Sequence, residues 1–177
     1  MFNNHLKNNV NSIIQVGNNS QITNKVIAVP RLTRIVTDLT ATLNSNQILD
    51  LESKLENLQN FNGVQFAILL IPSTGPETID QFSMRVVKEW KLGRKGINDG
   101  VLFLVAKDDH KMRIEVGYGL EAKLTNEVCS LIIQTAIPNF KNNDIFGGIL
   151  IVVKNIISVV TNSRLKSSQE VNSKLLI

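Results

Sequence analysis

Residues 98–122 read NDGVLFLVAKDDHKMRIEVGYGLEA. The unbroken apolar run VLFLV is followed by a polar turn and then by MRIEV, in which charged and apolar residues alternate. A continuous apolar run bounded by turns is the pattern of a strand buried on both faces, and alternation with period two is that of a strand with one wet face. The two segments are expected to form a hairpin, which brings INDG (97–100) beside GYGLEA (117–122) at its open end. A turn centred on Asp109 would set Gly100 opposite Tyr118 and Asp99 opposite Gly119.

GYGLEA also fits G-x-G-x-x-A, the loop by which doubly wound folds hold a pyrophosphate. A dinucleotide site needs a strand before that loop, a helix after it, and a second parallel strand presenting an acid to the ribose. Here the preceding strand is the second arm of a hairpin and only helical patterns follow. Glu121 would moreover repel a phosphate. No dinucleotide is expected. Paired with INDG, the loop offers a different chemistry. Asn98, Asp99 and Glu121 become neighbours, and Gly100, Gly117 and Gly119 free the adjoining backbone carbonyls. Oxygen ligands on glycine turns suit a hard cation such as Ca2+ or Mg2+. A plain turn with a tight glycine bend accounts for the same residues.

Outward from the hairpin, VQFAILLI (64–71), ended by Pro72, reads as a second buried strand. Before it, Asn44-Ser45 can cap a helix carrying Ile48, Leu51, Leu55 and Leu58 on one face. Between the strands, Thr78 and Gln81 form a potential capping box for a helix carrying Ile79, Phe82, Val86 and Trp90, which stops near Gly93. After the glycine loop, Thr125 caps a helix with Val128, Leu131, Ile132 and Thr135 on its apolar face, and Pro138 is expected to end it. Asp144 starts the last helix. The order helix, strand, helix, strand, strand, helix, helix predicts a small mixed sheet covered by helices.

The 177 residues amount to one domain, with 43% apolar content and a net charge of +4. That charge is too small and too scattered to indicate nucleic acid. Residues 1–29 form an Asn-rich polar segment without the apolar run of a signal peptide, and 162–177 a polar tail; the domain proper is expected over 30–161. The stretch IFGGILIVVKNIISVV (145–160) is shorter than the ~20 residues of a spanning helix and contains Lys154, so it reads as a core helix and no transmembrane span is expected. Cys129 is the only cysteine, and His5 and His110 the only histidines, which leaves no Ser-His-Asp or Cys-His arrangement. Lys88, Lys91, Arg94 and Lys95 cluster at the end of the second helix, where they complement the helix dipole or contact an anionic partner. For Arg113 two roles stand open from the residues, an anion contact or a plain pairing with Glu115 or a neighbouring strand.

Three stretches taken together, VPRLTRIVTDLTATLN (29–44), EWKLGRKGINDGVLFLVAKDDHKMRIEVGYGLEAKLTNE (89–127) and IPNFKNNDIFGGIL (137–150), closely resemble the TPM domain family. The family is named after a thylakoid lumen phosphatase, a photosystem II repair protein and an acetylcholine-receptor modulator. The resemblance implies a three-layer αβα sandwich, an α/β fold with a small mixed sheet flanked by helices on both faces. It implies divalent-cation binding and, as for some members, a modest acid phosphatase activity, which here would need a metal-activated water on Asp38, Asp99 or Glu121, with Arg113 or Arg94 on the phosphate. The partner it implies is another protein or a membrane-associated assembly, since many bacterial members are exported or membrane-tethered. The family's acidic positions fall on Asp38, Asp99, Glu115 and Glu121, with Arg113 beside them. The chain departs from the pattern at Asn126, usually aspartate, at His110, commonly arginine, and at Ala41, commonly glycine. Loss of a carboxylate at 126 is expected to weaken a cation site.

Overall fold

The computed structural model describes residues 26–174, with side chains through Thr161. His5 and most of the N-terminal polar segment lie outside the described residues. The elements run β1 (Val36–Asp38), α1 (Ser45–Asn62), β2 (Gln65–Ile71), α2 (Ile79–Trp90), β3 (Gly100–Ala106), β4 (Lys111–Val116), α3 (Asn126–Lys141) and α4 (Ile145–Lys174). The four strands form one mixed sheet in the order β1-β2-β3-β4, parallel except for the antiparallel β3–β4 hairpin. This is the α/β sandwich expected from the pattern.

Alternation of side chains along β2 and β3 divides the core in two. Phe66, Ile68, Leu70, Val101, Phe103 and Val105 point to the side occupied by α1, α3 and α4. Ala67, Leu69, Ile71, Leu102, Leu104 and Ala106 point to α2, where Ile27 and Val29 of the incoming chain also pack. Both sheet faces are covered, which explains why β2 and β3 are apolar without a break. A topological consequence follows. The β1–α1–β2 and β2–α2–β3 crossovers step in the same direction along the sheet, yet their helices lie on opposite faces. They are therefore of opposite hand, and one departs from the right-handed rule.

The helix starts follow local chemistry. Asn44 with Gln47 and Thr78 with Gln81 form reciprocal capping boxes. The Thr125 hydroxyl accepts the Val128 amide, and the Asp144 carboxylate accepts the Gly147 amide at 2.9 Å. The long apolar stretch is a core helix, with Ile149, Val152, Val153, Ile156 and Val160 buried. Among the described residues no helix is long and apolar enough to cross a membrane.

Four expectations are corrected. The strand β1 is absent from the sequence pattern because three residues are too short to display a period. Pro138 does not end α3, which runs to Lys141; proline in the last turn forgoes one amide bond without stopping the helix. The buried face of α3 is Cys129, Ile132 and Ala136, while Leu131 is 60% exposed. The hairpin register differs by one residue from that of a turn centred on Asp109. Val101 pairs with Val116 and Ala106 with Lys111, because the turn spans four residues, 107–110, and closes with His110 in a left-handed conformation at φ 53°. A one-residue slip would reverse the faces of β4; the observed register puts Met112 and Ile114 on the α3/α4 side.

Candidate functional site

The hairpin brings the two loops together as the sequence implies. The Gly117 amide donates to the Gly100 carbonyl at 2.8 Å, and the Gly119 amide to the Asn98 carbonyl at 3.0 Å. Neither glycine has a positive φ, so close approach explains them. A Cβ on Gly117 would overlap the Asn98 carbonyl oxygen, and one on Gly119 the Ile97 carbonyl oxygen. The glycines of GYG are thus the contact surface between two backbones.

Asp99 immediately precedes β3 and is 3% exposed. One carboxylate oxygen accepts the Arg94 amide at 2.8 Å, and the other accepts Arg94 Nε at 2.7 Å and a further bond from Nη2. Burial pushes this carboxyl up, but the Arg94 guanidinium and amide outweigh it and hold it below the usual aspartate range. The pair ties together the loop that leads from α2 into β3. Beneath it lies Gly63, the left-handed C-cap of α1, whose missing side chain leaves room for the Arg94 guanidinium. Asn98 takes φ 54°, with its side chain in solvent.

Asp38 lies elsewhere. It ends β1 opposite Leu70, whereas Gly100 next to Asp99 is opposite Gln65. Five residues of strand separate the two levels, roughly 17 Å along the sheet. Its carboxylate is occupied by the loop into α1, accepting the amides of Thr40, Thr42 and Leu43, each at 2.8 Å, and the Thr40 hydroxyl at 2.6 Å. Asp38 and Asp99 do not share a site.

Glu115 and Arg113 project toward α2, the face that register gives them. Arg113 Nε donates to Glu115 at 2.8 Å and Nη1 contacts Asp80 at 2.7 Å, while the Ser83 hydroxyl donates to Glu115 at 2.7 Å. The bond to Glu115, helped by both carboxylate charges and opposed by burial, keeps the Arg113 guanidinium above its ordinary value. Asp80 and Ser83 were not anticipated; the available signal was Ser83, a polar residue adjoining Phe82 on the apolar face of α2.

Glu121 is exposed and makes no side-chain hydrogen bond or ion pair among the described residues. It borders an open trench along the edge strand β4, shared with Glu115, Asn126 and Glu127. Although three glutamates line this trench, no three His, Cys, Asp or Glu side chains among the described residues stand close enough to hold one ion. Cys129 is buried behind β4 near Arg113, and burial pushes its thiol up to about 11, which makes it a poor nucleophile.

An α/β sandwich with a hairpin-closed loop pair at one end of its sheet defines the class of domain. The TPM domain model matches residues 36–159, most of the chain, and the protein belongs to the TPM domain family. Among solved structures, the N-terminal domain of a protein from P. gingivalis is similar at 29% identity with a TM-score of 0.71, over 76% of this chain and 90% of that one. The N-terminal domain of cg2496 from Corynebacterium glutamicum matches at 15% identity and a TM-score of 0.59, over 80% and 91% of the two chains. BA42 from the psychrophilic bacterium Bizionia argentinensis matches at 14% identity and a TM-score of 0.61, over 71% and 86%. The last two likenesses concern the fold alone. No curated protein matches the chain.

Proposed function

We propose that this TPM domain is a non-catalytic interaction domain whose 97–100/117–121 loop pair takes a divalent cation, Ca2+ or Mg2+, weakly. The observation that carries the proposal is the contrast between Glu121, an exposed carboxylate without a side-chain partner among the described residues, and Asp38 and Asp99, whose oxygens are committed to their own loops. Among Asp38, Asp99, Glu115 and Glu121, only Glu121 has no side-chain partner among the described residues and is left to meet an ion, with carbonyl and water oxygens completing the shell. Asp99 acts as the latch of its own loop, tied to Arg94, and Asp38 takes no part. A site with one carboxylate falls at the weak end of calcium affinities, about 10⁻⁴–10⁻³ M, because affinity follows ligand charge and rigidity. An ion held this way bridges the domain to a second acidic or oxygen-rich surface, which fits a partner that is a protein or a membrane-associated assembly.

Chemistry on a phosphate ester has less support. The groups that would assist it are engaged internally: Arg94 with Asp99, and Arg113 with Glu115 and Asp80. The test is a titration of the 15N-labelled domain with Ca2+ and with Mg2+. Saturable shifts at 97–100 and 117–121 in the millimolar range, lost in Glu121→Gln and kept in Asp38→Asn, are expected. Absence of shifts with both ions, or equal shifts in Glu121→Gln, overturns the proposal. Chelator-sensitive turnover of a generic phosphate ester by the wild type would overturn its non-catalytic part.

A further inference from the structure

The opposite end of the sheet, remote from the loop pair, contains a cavity of about 460 Å³ between the hairpin, the end of α3 and the start of α4. Its floor is Val105 and Met112, which pair across the β3–β4 ladder, and its walls are Ile137, Phe140 and Ile145. The volume falls in the range of small-molecule sites, about 300–1,000 Å³. The polar lining residues are Lys107, His110, Lys111, Lys141 and Asn143. Lys107 and His110 come from the hairpin turn and Lys141 from the last residue of α3. Lys111 borders it too, but register turns its side chain to the α2 side, so its charge acts at longer range.

No carboxylate lines the cavity. Of the acids nearby but outside the lining, Asp108 is exposed in the hairpin turn and Asp38 holds the Thr42 amide, while Asp109 and Asp144 are turned to structural work. Asp109 accepts the Thr74 amide at 2.8 Å, and Asp144 caps α4 while accepting from Asn139 at 2.8 Å. The carbonyl of Phe140 at the end of α3 is bonded by the Asn143 amide at 3.1 Å. Lys107 hydrogen-bonds the Thr42 hydroxyl at 3.0 Å, which fixes its ammonium without neutralising it. An apolar interior whose charged lining residues, among the described residues, are all lysines is complementary to a molecule with one apolar chain and one anionic head. We infer that this cavity binds a single-chain amphiphilic anion, a long-chain carboxylate, with the chain over Met112 and Phe140 and the head between Lys107 and Lys141.

The probe is dodecanoate below its micelle concentration, titrated into the 15N- and methyl-labelled full chain. Dodecanol and dodecyltrimethylammonium serve as chain-matched controls, and anionic phospholipid vesicles as a separate arm. Saturable shifts at Met112, Ile137 and Phe140 are expected, with dodecanol at least about fivefold weaker and the cationic amphiphile weaker still. The exposed substitution Lys141→Glu is expected to weaken dodecanoate about tenfold, and Ile137→Trp to abolish binding by filling the space. Lys141→Glu keeps the test valid if the core substitution fails to fold. Equal affinity for dodecanoate and dodecanol, no saturable shift with dodecanoate, or binding to vesicles alone would each overturn the assignment.

Discussion

The Asp99 carboxylate is held by one residue, Arg94, through both main chain and side chain: the amide at 2.8 Å, Nε at 2.7 Å and a further bond from Nη2. Asp99 is nearly fully buried while the Arg94 side chain is half exposed, so the pair closes the mouth of the loop and faces its cation outward. That geometry makes Asp99 a structural latch and gives its removal a specific signature.

Substituting Asp99→Asn should destabilise the domain by about 2–3 kcal/mol at neutral pH, from lost charge-assisted hydrogen bonds and an unpaired guanidinium. The sign of the pH effect follows from the lowered carboxyl. Its stabilisation is complete above the unfolded value of about 4 and is lost as pH falls through the lower folded value. Denaturant unfolding of wild type and Asp99→Asn should therefore give curves that differ at pH 7 and converge below about pH 4. A constant gap down to pH 2 would refute the latch.

Gly119→Ala should cost about 1–3 kcal/mol by forcing a methyl group against the Ile97 carbonyl. Amide exchange at Gly119 should accelerate together with loosening of residues 97–98, while Val152 and Ile156 in α4 keep their protection. Uniform acceleration across the domain would contradict a local contact role.

Gly63→Ala combines a left-handed φ of 79° with overlap on the Arg94 guanidinium. The backbone part alone costs about 1–2 kcal/mol. In an Arg94→Ala background only that part remains, so the two substitutions should couple by about 1 kcal/mol in a double-mutant cycle. Strict additivity would show that Gly63 is not there to accommodate Arg94.

Asp38→Ala should destabilise the protein by about 2–3 kcal/mol, since it leaves amides of the loop into α1 without acceptors. Melting temperature without ions should fall, whereas the calcium and magnesium responses at 117–121 should persist. Loss of those responses in a folded Asp38→Ala protein would reinstate Asp38 as a ligand.

Cys129 should resist alkylation at pH 8 in the native state and react readily once unfolded. With the thiol near 11 instead of 9.0, the thiolate fraction is lower by roughly a hundredfold, and burial restricts access further. Native and denatured rates within a few-fold of each other would contradict this.

Most of the secondary structure was legible in the chain because its signals are local. Asn44, Thr78 and Thr125 each cap the helix expected of them, and the apolar runs at 64–71 and 101–105 are the two central strands. The exceptions depend on features that no local window contains. β1 is a strand because β2 offers a parallel edge, and Pro138 is tolerated because only α3's last turn follows it. For the candidate site, adjacency of INDG and GYG was legible from the hairpin, but the direction of each carboxylate was not. Asp99 and Arg94 are five residues apart, a spacing with no fixed meaning in a loop.

Seven of the eight elements, the hairpin, the apposition of the two glycine-bearing loops and the kinship with TPM domains are legible in the residues alone. The elements and the loop pairing follow from hydrophobic period, capping residues and turn composition, which act over a few residues; the kinship rests on the resemblance of three stretches to the family. Which acids meet is set instead by how distant segments pack. Strand direction sends Asp38 to one end of the sheet and Asp99 to the other, and a four-residue turn sets the register that aims Glu115 at Ser83. A carboxylate contributes to a site through the partners it has not already taken, and those partners come from distant parts of the chain. Of the acids grouped by sequence, Glu121 alone is left unpartnered among the described residues.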